Sequence, residues 1–359
     1  MPRPELPTVP GVLTSAEVAR TAHFIAASQE PTGALPWFPG GHTDPWDHVE
    51  SAMALSTAGL FNAAGAAYEW SRRTQRPDGS WPLEVVESSV TDPAADTNFC
   101  AYIAVGVRHH YLVSGDHTFL LRMWPAVRDA ISFVLELQTA RGEIHWAQSA
   151  DGRPAGEALL SGCSSIHHSL RCALEIAELV GEPQPDWEVA LASLRHVLTA
   201  HQEAFTAKER YSMDWYYPIL GGALTGTAAR ERLRAYWDDF VVDGLGIRCV
   251  SDRPWVTGAE TCELVLALHA LGETDEAHAL FAAIQHLRET DGSYWTGLVY
   301  TDEKRWPEER TTWTAASVVL AADALSRTTP GHRIFVPDGH SAGLPAGVDS
   351  CGCELSLSP

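Results

Sequence analysis

The chain has 359 residues, 45% of them hydrophobic, and a formal net charge of −21. Such an acidic surface repels phosphate backbones and anionic lipid, which excludes nucleic acid and membrane surfaces as natural partners. The 25 Lys and Arg are scattered, with no run that grips a polyanion.

No apolar stretch reaches membrane-spanning length, and no basic start is followed by an apolar core, so the chain reads as cytoplasmic. The seven cysteines fit that compartment. Cys100, Cys163, Cys172, Cys249 and Cys262 lie in or beside apolar runs, as reduced core cysteines do.

Hydrophobic periodicity predicts twelve helices in chain order, at 16–29, 47–60, 62–75, 96–113, 117–138, 164–180, 185–202, 214–225, 229–241, 258–271, 274–288 and 309–326. They alternate in character. The first and every second one after it carry a charged face; the others are small and apolar nearly all round, which is the mark of burial on all sides. Six hairpins with one buried and one half-exposed helix each predict an all-α protein, a single (α/α)6 toroid with an inner and an outer ring.

A repeated phrase supports this division. Gln, a short gap, Gly and then Trp recur at Gln29/Gly33/Trp37, Gln75/Gly79/Trp81, Gln138/Gly142/Trp146 and, more loosely, Gln285/Gly292/Trp295. Trp37, Trp81 and Trp146 read as packing anchors of the repeat. Thr43, Ser164 and Asp214 are suited to cap inner helices, and Gly115, Gly181, Gly226 and Gly272 to end helices. After about residue 329 the pattern dissolves into Gly, Pro and Ser. The toroid is therefore assigned to residues 1–329, and 330–359, with Cys351-Gly-Cys353, to an irregular tail.

The inner helices have apolar bodies and polar starts. Asp44, Trp46, Asp47, His48 and Glu50 open the first; Asp96 and Asn98 the second; Ser164 and His167 the third. Asp214, Trp215, Tyr216 and Tyr217 open the fourth, Trp255, Glu260 and Glu263 the fifth, and Glu309, Arg310 and Trp313 the sixth. In a toroid all six starts point to one end, so these groups converge on a funnel. Carboxylates beside Trp and Tyr suit a neutral, hydroxylated ligand, because acids bond hydroxyls and flat rings stack on apolar sugar faces.

Two families resemble this chain. The Gln–Gly–Trp phrase, clearest in Gln75-Arg-Pro-Asp-Gly79-Ser-Trp81, is similar to motifs of terpenoid cyclases and protein prenyltransferases. Their chemistry is less well matched: Asp92-Pro-Ala-Ala-Asp96 lacks Asp-x-Asp-Asp spacing, and Glu260-Thr-Cys262 has no later zinc-binding His at the last inner helix. The segments Gly142-Glu-Ile-His-Trp146, Cys163 through Glu175 and Arg305-Trp-Pro-Glu308-Glu309-Arg-Thr-Thr-Trp313 resemble six-hairpin glycosidases of the glucoamylase-like family 15. That resemblance implies a general base at Glu309 and an inverting reaction. The family's general acid falls near Trp146 or Ala147, neither of which donates a proton, so Glu143, Glu157 or Glu260 takes that role or the protein binds glycan without cleaving it.

The reading is a carbohydrate- or glycoconjugate-active enzyme using paired carboxylates and neither metal nor cofactor, with Glu309 as base and Glu260 as acid. Asp47, Trp46, His48, Asp96, His167, Asp214, Trp215, Tyr216, Trp255, Arg310 and Trp313 form its substrate site. An isoprenoid cyclase or prenyltransferase and a non-catalytic glycan-binding toroid are the alternatives.

Overall fold

A computed structural model describes residues 5–337. Helix makes up 57% of it. The outer helices are α1 (Ser15–Ser28), α3 (Phe61–Thr74), α6 (His117–Glu136), α8 (Pro185–Ala200), α10 (Gly226–Phe240) and α12 (Thr274–Ala283). The inner ones are α2 (Pro45–Thr57), the consecutive pair α4 (Thr97–Ala101) and α5 (Ile103–Ser114), α7 (Leu160–Val180), α9 (Ser212–Leu220), α11 (Gly258–Leu271) and α13 (Thr312–Ser326). The inner helices close a ring in the order α2, α5, α7, α9, α11, α13 and back to α2. The expected (α/α)6 toroid is the fold.

The burial pattern explains the two rings. Every residue of α2 is buried, as are the 13 residues of α13 from Thr312 to Ala324. By contrast α10 buries only Ala229, Leu233 and Phe240.

The Gln–Gly phrase is a clamp between outer helices. Gln29, Gln75 and Gln138 each donate through Nε2 to the carbonyl of the Gly four residues on, and also to a carbonyl of the next outer helix: Ala63, Ala126 and Ala190, at 2.9–3.0 Å. The glycines have φ of +99, +90 and +117, and a Cβ on any of them would overlap backbone at Ala66, Asp129 or Ser193. Gly292, at φ +91, presses in the same way on Arg20 of α1 and so closes the outer ring. Gln285 departs from the scheme: it donates back to Phe281 and accepts from Tyr294.

Several boundaries differ from the expectation. Asp44, not Thr43, caps α2, because Thr43 bridges Val85 in extended backbone. Ser164 and Asp214 lie inside α7 and α9, which begin at Leu160 and Ser212. Gly226 opens α10 instead of ending α9, which stops at Leu220 before Gly221-Gly222. Gly115, Gly181 and Gly272 do end helices in the left-handed conformation.

The inter-helix loops carry short strands at the funnel end. β1 (Glu84–Val86) pairs with β2 (Ser89–Asp92), and β3 (Ala95–Asp96) with β4 (Ala147–Gln148). An antiparallel sheet runs β5 (Val241–Val242), β6 (Gly246–Arg248), β7 (Trp255–Thr257), β8 (Gly297–Val299), β9 (Lys304–Arg305). At the other end, residues 330–337 pack on the toroid: Phe335 lies against His168, whose Nε2 meets the Ile334 carbonyl at 2.8 Å. Cys351 and Cys353 lie outside the described residues.

If the clamp holds the outer ring, Gly79→Ala is destabilising. Left-handed backbone and overlap with Asp129 together should lower unfolding free energy by about 1–3 kcal/mol, measured by denaturant titration. Gly40→Ala, also at positive φ but with no atom near its Cβ, serves as the comparison.

Candidate functional site

The starts of α2, α4, α7, α9 and α13 surround a cavity of about 290 Å³, while Glu260 at the start of α11 lies outside its lining. Trp37, Trp46, Trp146 and Trp313 line it, together with Asp47, Asp96, Asn98, Tyr217 and a set of apolar side chains. Trp37 and Trp146 therefore face the cavity, unlike Trp81, whose indole is buried and donates to the Ser71 carbonyl at 2.9 Å. Trp46 stacks on Tyr102 with ring centroids 3.9 Å apart, which fixes its face.

The acids stand in two tiers. Asp47 and Glu50 are three apart on α2, and Glu260 and Glu263 three apart on α11, so each pair shares a helix face. The deep members are tied down. Glu50 accepts from Trp313 Nε1 at 3.2 Å and Ser317 Oγ at 2.8 Å, and Glu263 accepts from the hydroxyls of Tyr216 and Tyr217. The upper members, Asp47 and Glu260, are both 5% exposed. Asp47 has another carboxyl, Asp44, as its side-chain neighbour, and Glu260 has the Cys249 thiol.

Burial sets the protonation of this group. It raises Asp47 well above the ordinary carboxylate range, and the charges of Asp44, Glu50 and Glu263 push the same way. Burial raises Glu263 strongly and lifts Glu50 to about 7 against the opposing hydrogen bonds of Ser317 and Trp313. Asp96 is lifted to about 7, again by burial, although the backbone N–H groups of Phe99 and Asn98 favour its ionised form. The funnel thus holds several carboxyls whose proton affinity is raised, Glu50 and Asp96 to about 7.

Other expected site residues have different places. His48 bridges the Leu35 N–H and the Ala67 carbonyl inside the core, and His167 meets the Gly221 carbonyl at 2.8 Å. Burial lowers both to about 4, so they are neutral packing groups. Trp215 is buried against Phe240. Tyr216 acts on Glu263 from within the core. Arg310 turns outward to Asp291 and lies over Trp295, and the Trp255 indole donates to the Trp306 carbonyl at 2.8 Å.

Asp214 accepts from the Ser161 N–H at 3.3 Å. It lines a neighbouring cavity of about 360 Å³ with Phe205, Lys208, Arg232 and Tyr236. Glu309 is half-buried and accepts from Trp37 Nε1 at 2.9 Å. Glu143 is held below its ordinary value: burial raises it, but hydrogen bonds from Arg141 and Thr139 outweigh that. Glu157 is exposed. Neither supplies a proton donor in the cavity.

His42, Asp44 and Asp47 offer ligand atoms within 4.8 Å of one another, the geometry a metal ion would need. Helix capping by Asp44 accounts for the grouping. The pairs Asp47/Glu50 and Glu260/Glu263 were legible as acids three apart in apolar helices. The aliphatic lining residues Leu159 and Met213 carried no such signal.

No protein-family model matches the chain. It is 61% identical over 354 residues, 98% of this chain and 97% of the relative, to the MMP endo-(1,4)-3-O-methyl-alpha-D-mannosidase of Mycolicibacterium hassiacum, and it belongs to that enzyme's family. Among solved structures, a wild-type glycosidase superposes with a TM-score of 0.68 at 17% identity, covering 90% of this chain and 100% of its own. A D-mannose isomerase gives 0.69 at 11%, covering 87% and 97%. The cellobiose 2-epimerase of Spirochaeta thermophila gives 0.62 at 13%, covering 87% and 96%. At these identities the structures speak for the fold. The chain is a carbohydrate-active, glycosidase-like enzyme, and its identity to the mannosidase bears out the sugar reading over the isoprenoid one. Among the described residues no helix is long and apolar enough to cross a membrane.

The Glu50 shift has a measurable consequence. An acid raised from 4.5 to about 7 binds its proton more tightly folded than unfolded, so its contribution to stability falls as pH rises through that window. The buried histidines act with the opposite sign, so the comparison must be between variants. Glu50→Gln keeps an acceptor for Trp313 and Ser317 and cannot ionise. Its melting temperature relative to wild type should climb between pH 4.5 and 7; a constant difference would show that Glu50 does not titrate there.

Proposed function

We propose that the chain is an endo-acting glycoside hydrolase that cleaves 1,4-linked 3-O-methyl-α-mannosyl chains, with Asp47 as general acid and Glu260 as general base. The observation that carries the assignment is the two-tier arrangement. Catalytic groups must be free to exchange protons with substrate and water, and the upper acids lack the donors that hold Glu50 and Glu263. Asp47 lines the cavity, and burial raises its proton affinity, as an acid catalyst requires. Glu260, at the start of α11 beside the Cys249 thiol, is the other upper acid and takes the part of the base. The identity to the mannosidase supports the substrate class.

In this mechanism Asp47 donates its proton to the glycosidic oxygen as the bond to the anomeric carbon breaks. Glu260 takes a proton from the water that attacks the opposite face. Helix α13 stands between α2 and α11 in the ring, which supports a gap wide enough for that water and hence inversion. Trp37, Trp46, Trp146 and Trp313 give the sugar rings flat surfaces, and Asp96 and Asn98 bond hydroxyls. Glu309, the base implied by the glucoamylase resemblance, is read instead as the group that orients Trp37. The catalytic unit is the toroid of residues 1–329, with 330–337 bracing its far end. Among the described residues, the free thiols of Cys100, Cys163, Cys249 and Cys262 support a cytoplasmic site of action.

Purified protein should shorten a 3-O-methylated 1,4-mannan internally, giving mid-sized products before monosaccharide. Asp47→Asn and Glu260→Gln should each lower kcat by about 100-fold or more. Glu309→Gln should stay within a few-fold of wild type, because the amide oxygen still accepts the Trp37 N–H. Near-normal activity in Glu260→Gln with loss in Glu309→Gln would move the base to Glu309.

A further inference from the structure

The cavity is divided by chemistry. Its acids stand on α2 and the start of α4, with Trp46 and Trp313 on α2 and α13. In the closed ring α7 lies opposite α13 and α9 opposite α2. From that far side come Ile144, Leu159, Cys163, Ile166 and Met213, an aliphatic and sulfur wall beside Ser161 and Tyr217, whose hydroxyls are engaged by Asp214 and Glu263. An unmodified sugar presents hydroxyls on all sides and leaves such a wall unused, since a hydroxyl buried against it loses its water without gaining a bond. A methyl ether is different: it is apolar and no longer a donor.

One position in this wall is shaped for such a group. Gly162 lies in the first turn of α7 and lines the cavity, with helical backbone that requires no glycine. A Cβ placed on it would meet only Leu159 Cβ at 3.7 Å and Asn98 Cβ at 3.8 Å, ordinary van der Waals contact. The glycine therefore leaves a notch the size of one methyl group, floored by Leu159 on one side and by Asn98 on the other.

We propose that the Gly162 notch, backed by Leu159 and Met213, receives the O-methyl group of the substrate and is the element that selects methylated over unmethylated mannosyl units. This rests on the mannosidase reading above and assigns its specificity to one face of the site. Asn98 adds a polar edge: its amide oxygen is buried without a protein partner, so it is placed to accept from a hydroxyl next to the ether.

The test compares kcat/KM on 3-O-methylated and unmethylated 1,4-linked mannooligosaccharides of equal length. Wild type should prefer the methylated chain by about 10-fold or more, the range for one methyl-sized group in an apolar pocket. Gly162→Ala fills the notch with the protein's own methyl. It should lose most of that preference through the methylated substrate alone, with an unchanged or higher melting temperature. Met213→Gln, at a partly exposed position, should erode the preference in the same direction. Equal rates of wild type on both substrates, or a preference untouched by Gly162→Ala, would overturn the notch while leaving the hydrolase assignment intact. Hydrolysis of neither substrate by wild type would overturn the hydrolase reading and this inference with it.

Discussion

Everything in this molecule depends on holding six hairpins at a fixed spacing, and the Gln–Gly clamp is how three of those spacings are set. A glutamine amide has two N–H groups, and here both go to backbone carbonyls: one closes its own loop, the other belongs to the neighbouring outer helix. Each carbonyl so used is a helix or loop acceptor whose burial would otherwise be costly. The glycine then lets the loop backbone touch that neighbour directly. Sequence-local and ring-level geometry are thereby fixed by the same two residues. Farther round, an arginine ties α10 to the turn between α11 and α12, where Arg230 reaches the Leu271 carbonyl at 2.8 Å and Glu273.

With the outer ring fixed, the inner helix starts are held at one end, and this allows an otherwise unstable grouping of acids. Asp44, Asp47, Glu50, Glu260 and Glu263 bring five carboxyls from two helices into a buried space. Fully ionised they would repel one another at short range in a medium that screens poorly. The molecule resolves this by two means. The deep acids receive indole and hydroxyl donors from α13 and α9, and burial raises the proton affinity of Asp47, Glu50 and Glu263. For Asp47 the neighbouring carboxyls of Asp44, Glu50 and Glu263 add to that effect.

Much of this was legible in the sequence, for identifiable reasons. Helices apolar all round are inner helices because nothing else in a soluble fold is surrounded by protein, so the ring assignment followed from residue type. Asp47, Asp96, Glu260 and Trp313 were visible as polar groups at the starts of such helices. What was hidden depended on direction. His48, His167 and Trp215 have the right types and the right helices, but a turn of helix separates facing the funnel from facing the core, and buried carbonyls claimed the histidines. Trp37 and Trp146 share a motif with Trp81, yet only Trp81 is swallowed by the outer layer. Gly162 carries no signal in the sequence, and only the space around its Cα gives it meaning.

The same ring is found in a glycosidase, a mannose isomerase and a cellobiose epimerase at 11–17% identity. Cleaving a glycosidic bond differs from isomerising or epimerising a sugar, so the ring does not encode one reaction; it supplies a funnel with six helix starts, and chemistry is written into a few of them. In this chain the α2 and α11 starts carry carboxyls and the α7 start carries an apolar face with a missing side chain. Loops are free to vary because the clamp is made on the outer helices, away from the cavity. The strands β5 to β9 illustrate that freedom: they roof the α11 side without entering the ring order. A scaffold that separates its spacing device from its site in this way can change substrate by altering single residues such as Gly162, and the cost in stability remains local to the turn concerned.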